Sequence, residues 1–294
     1  MFAAMTAPLS VGLIGAGPWP RMVTGPVLAA GPETTVTGVW SRTSARAAEL
    51  AEQLGVAVFD DVDALFDSCD AVAIAVAPEA QPELAVRAAR NGKALLLEKP
   101  LAGDVAGARA IARAAHDAGV GALVMLSNRF NPGFDDFVAA AEKAAPLSGG
   151  RGCFFSGAFL GGPFAYGWRL ERGAVLDIGP HLLDLLEAGL GEITDVRASG
   201  DPLGWVSAIC THASGATSSA AMCCAAAVES KTEVEVFGRE GAALYDGRQI
   251  DYAVWPARLR QALVSVAGGV VHAASVDRAL HLQELIEQIE AQLR

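Results

Sequence analysis

Leu9-Ser10-Val11-Gly12-Leu13-Ile14-Gly15-Ala16-Gly17-Pro18-Trp19-Pro20 is the stretch whose reading decides the fold. Leu9–Ile14 reads as a strand and leads directly into a glycine turn and a helix running to about Ala30. Gly15 permits the tight bend, and Gly17 lets the backbone approach a pyrophosphate seated over the helix N-terminus. G-x-G alone also marks ordinary β–α turns. Its place between strand and helix of a βαβ unit makes it a dinucleotide turn. Pro20 stands at the third glycine position. It is tolerated in a first helical turn, but it adds volume and removes a donor, which predicts a looser or shifted phosphate site.

Outward from this turn, the first ~125 residues alternate short apolar runs with helical patterns, as expected of a parallel sheet covered by helices. Strands are read at 35–40, 56–59, 71–75, 94–97 and 121–126, and helices at 44–54, 82–91 and 104–118. The runs at 71–75 and 94–97 are unbroken apolar, the mark of strands buried on both faces. The pattern then changes. A connecting helix is read at 134–144, a strand at 151–160, an aromatic loop at 161–172 and a helix from about Val175 to Gly189. Extended segments follow between 196 and 245, including 206–212, 217–225 and 232–237, and an amphipathic helix carrying Val276, Leu280, Ile286, Ile289 and Leu293 ends the chain. The expected architecture is α/β: a Rossmann parallel sheet in residues 1–127, then an α/β domain on a large, mostly antiparallel sheet in 128–294.

Composition excludes several partners. The chain of 294 residues carries a formal charge of -11, which repels nucleic acid and anionic membranes. No run is apolar and long enough to span a bilayer, and MFAAMTAPLS at the N-terminus lacks the charge and apolar core of a secretory signal. A cytoplasmic protein is expected. Cys69, Cys153, Cys210, Cys223 and Cys224 include no C-x-x-C pair and read as buried, reduced thiols. Five scattered histidines give no metal site.

Three further motifs carry chemistry. Strand two ends in Trp40-Ser41-Arg42-Thr43. No Asp or Glu stands there to take the ribose hydroxyls of NAD; Ser41 and Arg42 instead suit a 2′-phosphate. NADP(H) is the expected cofactor, with NAD(H) the alternative if Arg42 is only a solvated loop charge. The strand at 94–97 leads into Glu98-Lys99-Pro100, at the strand end where open α/β sheets bind ligands; Lys99 suits a substrate hydroxyl or the alkoxide it becomes. In Asp177-Ile178-Gly179-Pro180-His181-Leu182-Leu183-Asp184, the i, i+4 spacing puts Asp177 and His181 on one helix face. Pro180 places that pair in a first helical turn. His181 suits general acid/base work, and Asp184 suits a partner that orients neighbouring groups.

Together, Gly15-x-Gly17, Glu98-Lys99-Pro100 and Asp177-x-Gly179-x-His181-x-x-Asp184 resemble the Gfo/Idh/MocA oxidoreductases, relatives of glucose-fructose oxidoreductase and inositol dehydrogenase. The resemblance runs nearly the whole chain and takes in Asn128-Arg129-Phe130, Trp168-Arg169 and His281-Leu282-Gln283. It implies hydride transfer between a nicotinamide cofactor and a sugar, cyclic polyol or related carbonyl compound. It also implies a homodimer or homotetramer built through the C-terminal sheet. Lys99, Asp177 and His181 match the family's catalytic positions, and the Lys99–Pro100 bond is often cis in relatives. The cofactor-binding set is Gly15, Gly17, Pro18, Trp19, Ser41, Arg42, Glu98 and Lys99; Tyr166, Trp168 and Arg169 are the candidate substrate contacts. Three departures stand out: Pro20, Thr24 where many relatives carry His, and a short substrate domain. The rival readings are a catalytically inactive NADP-binding regulator on the same fold, and an imine or enone reductase.

Overall fold

The computed structural model describes residues 7–293. Residues 1–6, most of the stretch read as carrying no secretory signal, lie outside it with Arg294. Two compact units form. One holds the described residues through Met125 together with Pro256–Leu280; the other holds Leu126–Trp255 and the residues from His281 onward.

In the first unit, β1 (Leu9–Ile14), β2 (Thr34–Trp40), β3 (Ala57–Val58), β4 (Ala71–Ile74), β5 (Ala94–Leu97) and β6 (Ala122–Val124) form a parallel sheet in the order β3-β2-β1-β4-β5-β6. This is the doubly wound dinucleotide order, with ligands expected at the carboxyl ends of the strands. All residues of β4 and β5 are buried, as their unbroken apolar runs require. Helices α2 (Ser44–Leu54), α4 (Gln81–Arg90) and α5 (Val105–Ala118) follow the expected pattern. Asp104 caps α5 by accepting from the Gly107 amide at 2.7 Å. A short helix α3 (Val62–Asp67) was not read from the sequence. Asp61 starts it by accepting from the Asp63 amide, and its few residues are too short to show a period.

Pro20 acts otherwise than as a simple substitute for glycine. The helix after β1 widens into a π turn over Pro20–Thr24, where the Gly25 amide donates to Pro20 O, and then continues as α1 (Gly25–Ala29). Pro26 cannot donate to the carbonyl four residues back and its ring crowds it; widening relieves that clash. The close helix–strand approach is made at Gly25, where a Cβ would sit 2.8 Å from Pro20 O and 3.4 Å from a Leu13 methyl.

The assignment of 256–280 to the second domain is corrected by the packing. In α9 (Trp255–Ala267), Arg260 pairs with Glu33 at 2.7 Å and donates to Val27 O. Burial raises the Glu33 carboxyl, but the hydrogen bonds from Arg260 and Gln261 outweigh it and hold it below its ordinary value. Further on, the Val124 amide donates to Ala274 O, and Ser275 bridges Leu123. The open edge of β6 therefore finds its partner late in the chain, a pairing that local pattern does not encode.

The second unit is built on a six-stranded sheet in the order β12-β11-β7-β10-β9-β8. Its strands are β7 (Leu147–Phe155), β8 (Ile193–Gly200), β9 (Val206–His212), β10 (Thr217–Cys223), β11 (Lys231–Gly238) and β12 (Gly241–Asp246). Only β10 and β7 pair in parallel. Helices α6 (Pro132–Lys143) and α8 (Ala174–Leu190) pack on this sheet. The loop read at 161–172 contains a short helix, α7 (Trp168–Arg172), and α10 (Val276–Gln292) is the last helix.

Pro180 lies inside α8, not in its first turn, so that expectation is corrected. A proline there removes one intrahelical bond and crowds the turn before it. The helix persists because nearly all of it is packed inside: every residue from Ala174 through Glu187 is buried. Arg129 anchors α8 with a two-pronged ion pair to Asp184, at 2.7 and 2.8 Å, and also lies 5.0 Å from the Phe134 ring. The Asp184 side chain is only 2% exposed.

All five cysteines are free; Cys69, Cys210, Cys223 and Cys224 are buried as expected, but Cys153 is half-buried. Burial pushes the Cys210 thiol up to about 11 and raises Cys69 and Cys153 as well; such thiols are inert at neutral pH. No helix of the described residues is long and apolar enough to cross a membrane.

Removing one partner of a buried ion pair strands the other charge. Asp184→Ala is expected to cost about 3–5 kcal/mol in urea unfolding; a loss below about 1 kcal/mol would put this pair with exposed ones.

Candidate active site

The residues read as the cofactor set all lie in the first unit, at the carboxyl edge of its parallel sheet. Gly15 has a φ of +107°, and a Cβ there would sit 2.2 Å from Ala75 O, so only glycine fits. Its amide donates to Trp40 O at 2.9 Å. The amides of Ala16 and Gly17 spend no hydrogen bond on the described residues, and the Arg21 amide is spent on Gly17 O at 3.3 Å. Pro18 and Pro20 have no amide hydrogen. A phosphate here is therefore met by fewer backbone donors than a turn without prolines offers, but by donors that are open at the start of a helix, where an anion is favoured.

At the end of β2, Ser41 Oγ accepts from the Thr43 amide at 3.4 Å, and Thr43 forms the N-cap of α2. Arg42 is exposed, and so is Arg46 one turn into α2; neither has an acidic partner among the described residues. Sequence reading named Arg42 and missed Arg46. The signal was present in the sequence: Arg46 falls in the first turn of the helix whose N-cap, Thr43, directly follows Arg42.

Glu98 and Lys99 follow β5, each half-buried, and the Lys99–Pro100 peptide is cis. Glu98 faces the cofactor helix. The Thr24 hydroxyl donates to it at 3.4 Å, and Trp19 hydrogen-bonds it as well. Burial pushes its carboxyl up to about 7, against the opposing pull of Lys99, Trp19, its neighbouring amide and Thr24. Thr24 thus has a definite task in place of the histidine expected there: it joins the π turn to the Glu98 carboxyl. Sequence reading gave Gln81 no role. It is fully buried at the start of α4, and its amide binds the backbone around Lys99.

Asp177, His181, Tyr166, Trp168 and Arg169 lie in the second unit. Asp177 sits in the first turn of α8, where the helix dipole favours its charge. Asp177 and His181 are both buried on α8, and the His181 ring lies 6.2 Å from that of Phe154. The structure gives Asp177 a cation neighbour: Arg169 Nε lies 3.3 Å from its carboxylate. That guanidinium sits among three rings, 4.4 Å from Trp168, 5.4 Å from Phe164 and 5.9 Å from Tyr166. The candidate substrate residues therefore form one cluster, in which the rings hold Arg169 and Arg169 holds Asp177. Phe164 was the member sequence reading left out.

Residues 9–126 match an oxidoreductase family with an NAD-binding Rossmann fold, GFO_IDH_MocA, and residues 152–244 match the GFO/IDH/MocA C-terminal domain. The chain belongs to the Gfo/Idh/MocA oxidoreductase family. Among curated relatives of this Gfo/Idh/MocA chain, the dTDP-3,4-didehydro-2,6-dideoxy-alpha-D-glucose 3-reductase of Streptomyces violaceoruber is 32% identical over 59% of this chain and 52% of that protein. The scyllo-inositol 2-dehydrogenase (NADP(+)) IolU of Bacillus subtilis (strain 168) is 29% identical over 56% and 53%. The chain spans about half the length of the curated relatives it matches. In structure it is similar to GenD2 from gentamicin A biosynthesis in complex with NAD, with TM-score 0.86 and 22% identity over 99% of this chain and 95% of that one. A probable dehydrogenase from Thermotoga maritima gives 0.85 and 20%, over 97% and 96%. At these identities the solved structures establish the fold alone.

The raised Glu98 carboxyl sets a pH dependence. A folded-state value of about 7 against an ordinary 4.5 means that the protonated form is the stable one in the fold. Its contribution is complete below 4.5 and lost as pH rises through 7, at up to about 1.4 kcal/mol per pH unit. Glu98→Gln stays neutral, so its melting temperature relative to the unaltered protein should climb across this window; a pH-independent difference between the two would contradict the burial of the charge.

Proposed function

We propose that this chain transfers a hydride between NADP(H) and a carbon of a sugar, cyclic polyol or related carbonyl compound. The family supports the reaction class. The observation that carries the cofactor choice is the end of β2, where Arg42 and Arg46 stand exposed without acidic partners and no carboxylate occupies 41–48. Two guanidiniums and the Ser41 hydroxyl suit a 2′-phosphate by charge-assisted bonds, while an NAD site asks for an acid there. Relatives named for an inositol, a deoxysugar nucleotide, 1,5-anhydro-D-fructose and D-apiose support a polyhydroxylated substrate.

The nicotinamide cofactor, when bound, accepts or supplies the hydride. The amides of Ala16 and Gly17 hold the pyrophosphate beside Pro18 and Trp19, with Gly15 keeping the turn tight. Glu98 and Lys99 complete the cofactor set. Lys99 binds the reacting oxygen and stabilises its negative charge as the hydroxyl proton leaves. His181 takes that proton in oxidation and returns it in reduction. Asp177, fixed by Arg169, binds a neighbouring hydroxyl and orients substrate or His181, and Tyr166 and Trp168 present apolar faces to the sugar ring. Donors and acceptors fixed in this way select a polyol, because an analogue lacking a hydroxyl leaves a buried group unpaired.

The assembly we propose is a cytoplasmic homodimer or homotetramer joined through the sheet of the second unit. On the sheet face opposite the buried one, Ile209, Leu244 and Phe237 are all exposed, around an Arg151–Glu235 pair in the same cross-strand row as Ile209 and Leu244.

Fluorescence titration with NADPH and NADH tests the cofactor. NADPH should bind more tightly, and Arg42→Ala with Arg46→Ala should remove the preference by roughly tenfold to a hundredfold, the worth of one or two charge-assisted contacts. Equal binding of both nucleotides would overturn the phosphate argument and leave the enzyme reading; binding of neither would defeat the nicotinamide reading and point to Pro20 as the cause. On a substrate found by screening inositols and pyranoses, His181→Ala should lower kcat by roughly 10²–10⁴-fold while the cofactor dissociation constant holds. An equal loss in both would remove His181 from the acid/base role.

A further inference from the structure

We propose that Gln81 is a positioning residue for Lys99, setting where its ammonium meets the reacting oxygen. The proposal rests on the reading of Lys99 as the oxygen-binding group. Gln81 is the first residue of α4 and is 0% exposed. Its Nε2 donates to Glu98 O at 2.8 Å and to Leu101 O at 2.9 Å, with Pro100 O at 3.4 Å, and its Oε1 accepts from the Glu98 amide at 3.1 Å. One side chain therefore grips the backbone before and after Lys99. The arrangement has a single sense: three carbonyls need the NH₂ end and one amide needs the oxygen.

Beyond β5 the sheet offers one bond, from the Glu98 amide to Ile74 O at 3.2 Å. The carbonyls of Pro100 and Leu101 accept no backbone amide among the described residues, and Pro100 has none to give. The Gln81 amide thus supplies the partners that buried carbonyls require and fixes the peptide units from which the Lys99 side chain departs. Gln81 itself is fixed, since its own amide donates to Ala77 O and Pro82 follows it at the helix start. Lys99 has a flexible four-carbon stem, and the place of its root bounds where its ammonium can reach. A misplacement near 1 Å in such a group costs on the order of 10²-fold in rate.

The test uses the full chain with Gln81→Met, which keeps length and volume but neither donates nor accepts in this way, and Gln81→Glu, which keeps the acceptor for the Glu98 amide. The first readout needs neither substrate nor cofactor: acylation of Lys99 by an amine reagent, read by peptide mass spectrometry against Lys93, Lys143 and Lys231. The second is hydride transfer from NADPH, with the nucleotide dissociation constant measured alongside. We expect Gln81→Met to change the acylation rate of Lys99 and not of the other three lysines, and to lower kcat by roughly 10–100-fold with little change in nucleotide affinity. Gln81→Glu should recover on acidification, because a protonated carboxyl donates to a carbonyl again; it carries the test if Gln81→Met does not fold. Wild-type Lys99 acylation and kcat, with only a lower melting temperature, would make Gln81 a purely structural residue and overturn the proposal. Altered Lys99 acylation in a protein that neither binds NADPH nor turns over would keep the clasp while defeating the hydride-transfer reading.

Discussion

Gly15 stands where three parallel strands end. Its amide is bonded to Trp40 at the end of β2, and the space a side chain would take is filled by the Ala75 carbonyl beyond β4. Because no Cβ fits, the chain turns there, the following helix starts at the sheet edge, and the amides of Ala16 and Gly17 are left open. The Rossmann order of the sheet fixes where the other strands deliver their ends: Ser41 and Arg42 after β2, Gln81 after β4, Glu98 and Lys99 after β5. Chemistry in this unit follows from one steric condition at the central strand.

Around that turn, departures from the ordinary dinucleotide pattern are compensated locally. Two prolines remove amide donors, and a third, Pro26, breaks the regular helix into a π turn. Gly25 then provides the close approach that the third glycine of the fingerprint usually provides, and Thr24, within the π turn, reaches Glu98. Irregular helical turns of this kind gather at functional sites, and here the irregularity brings the helix after β1 and the Glu98 loop into one hydrogen-bonded group.

The second unit solves a different problem, that of keeping polar groups in a largely buried helix. Asp177 answers to Arg169, Asp184 to Arg129 and Glu187 to His281 at 2.7 Å. Each carboxylate of α8 has a cation or imidazole from another element, so α8 is held in rotation as well as in place. Buried charge tolerates little movement, since a displaced partner leaves an uncompensated ion. His181, buried on the same helix, is held in place with them.

The parallel sheet, the glycine turn after β1, the Lys99 and Asp177–His181 motifs and the mostly antiparallel second sheet are all legible in the sequence. Each is written in local pattern: unbroken apolar runs for strands buried on both faces, glycine for a positive φ, alternation for half-buried strands. What the tertiary structure alone decided are pairings between residues distant in the chain. Pro180 stays helical because burial outweighs a lost bond. Residues 256–280 return to the first unit through Arg260 and Ala274, and Asp177 meets Arg169. Gln81 looks like any polar residue at a helix start until the carbonyls of Glu98 and Leu101 close on it. Local propensity acts over a few residues, whereas the pairing of buried charges and carbonyls is decided only when the chain has packed and water no longer competes for them.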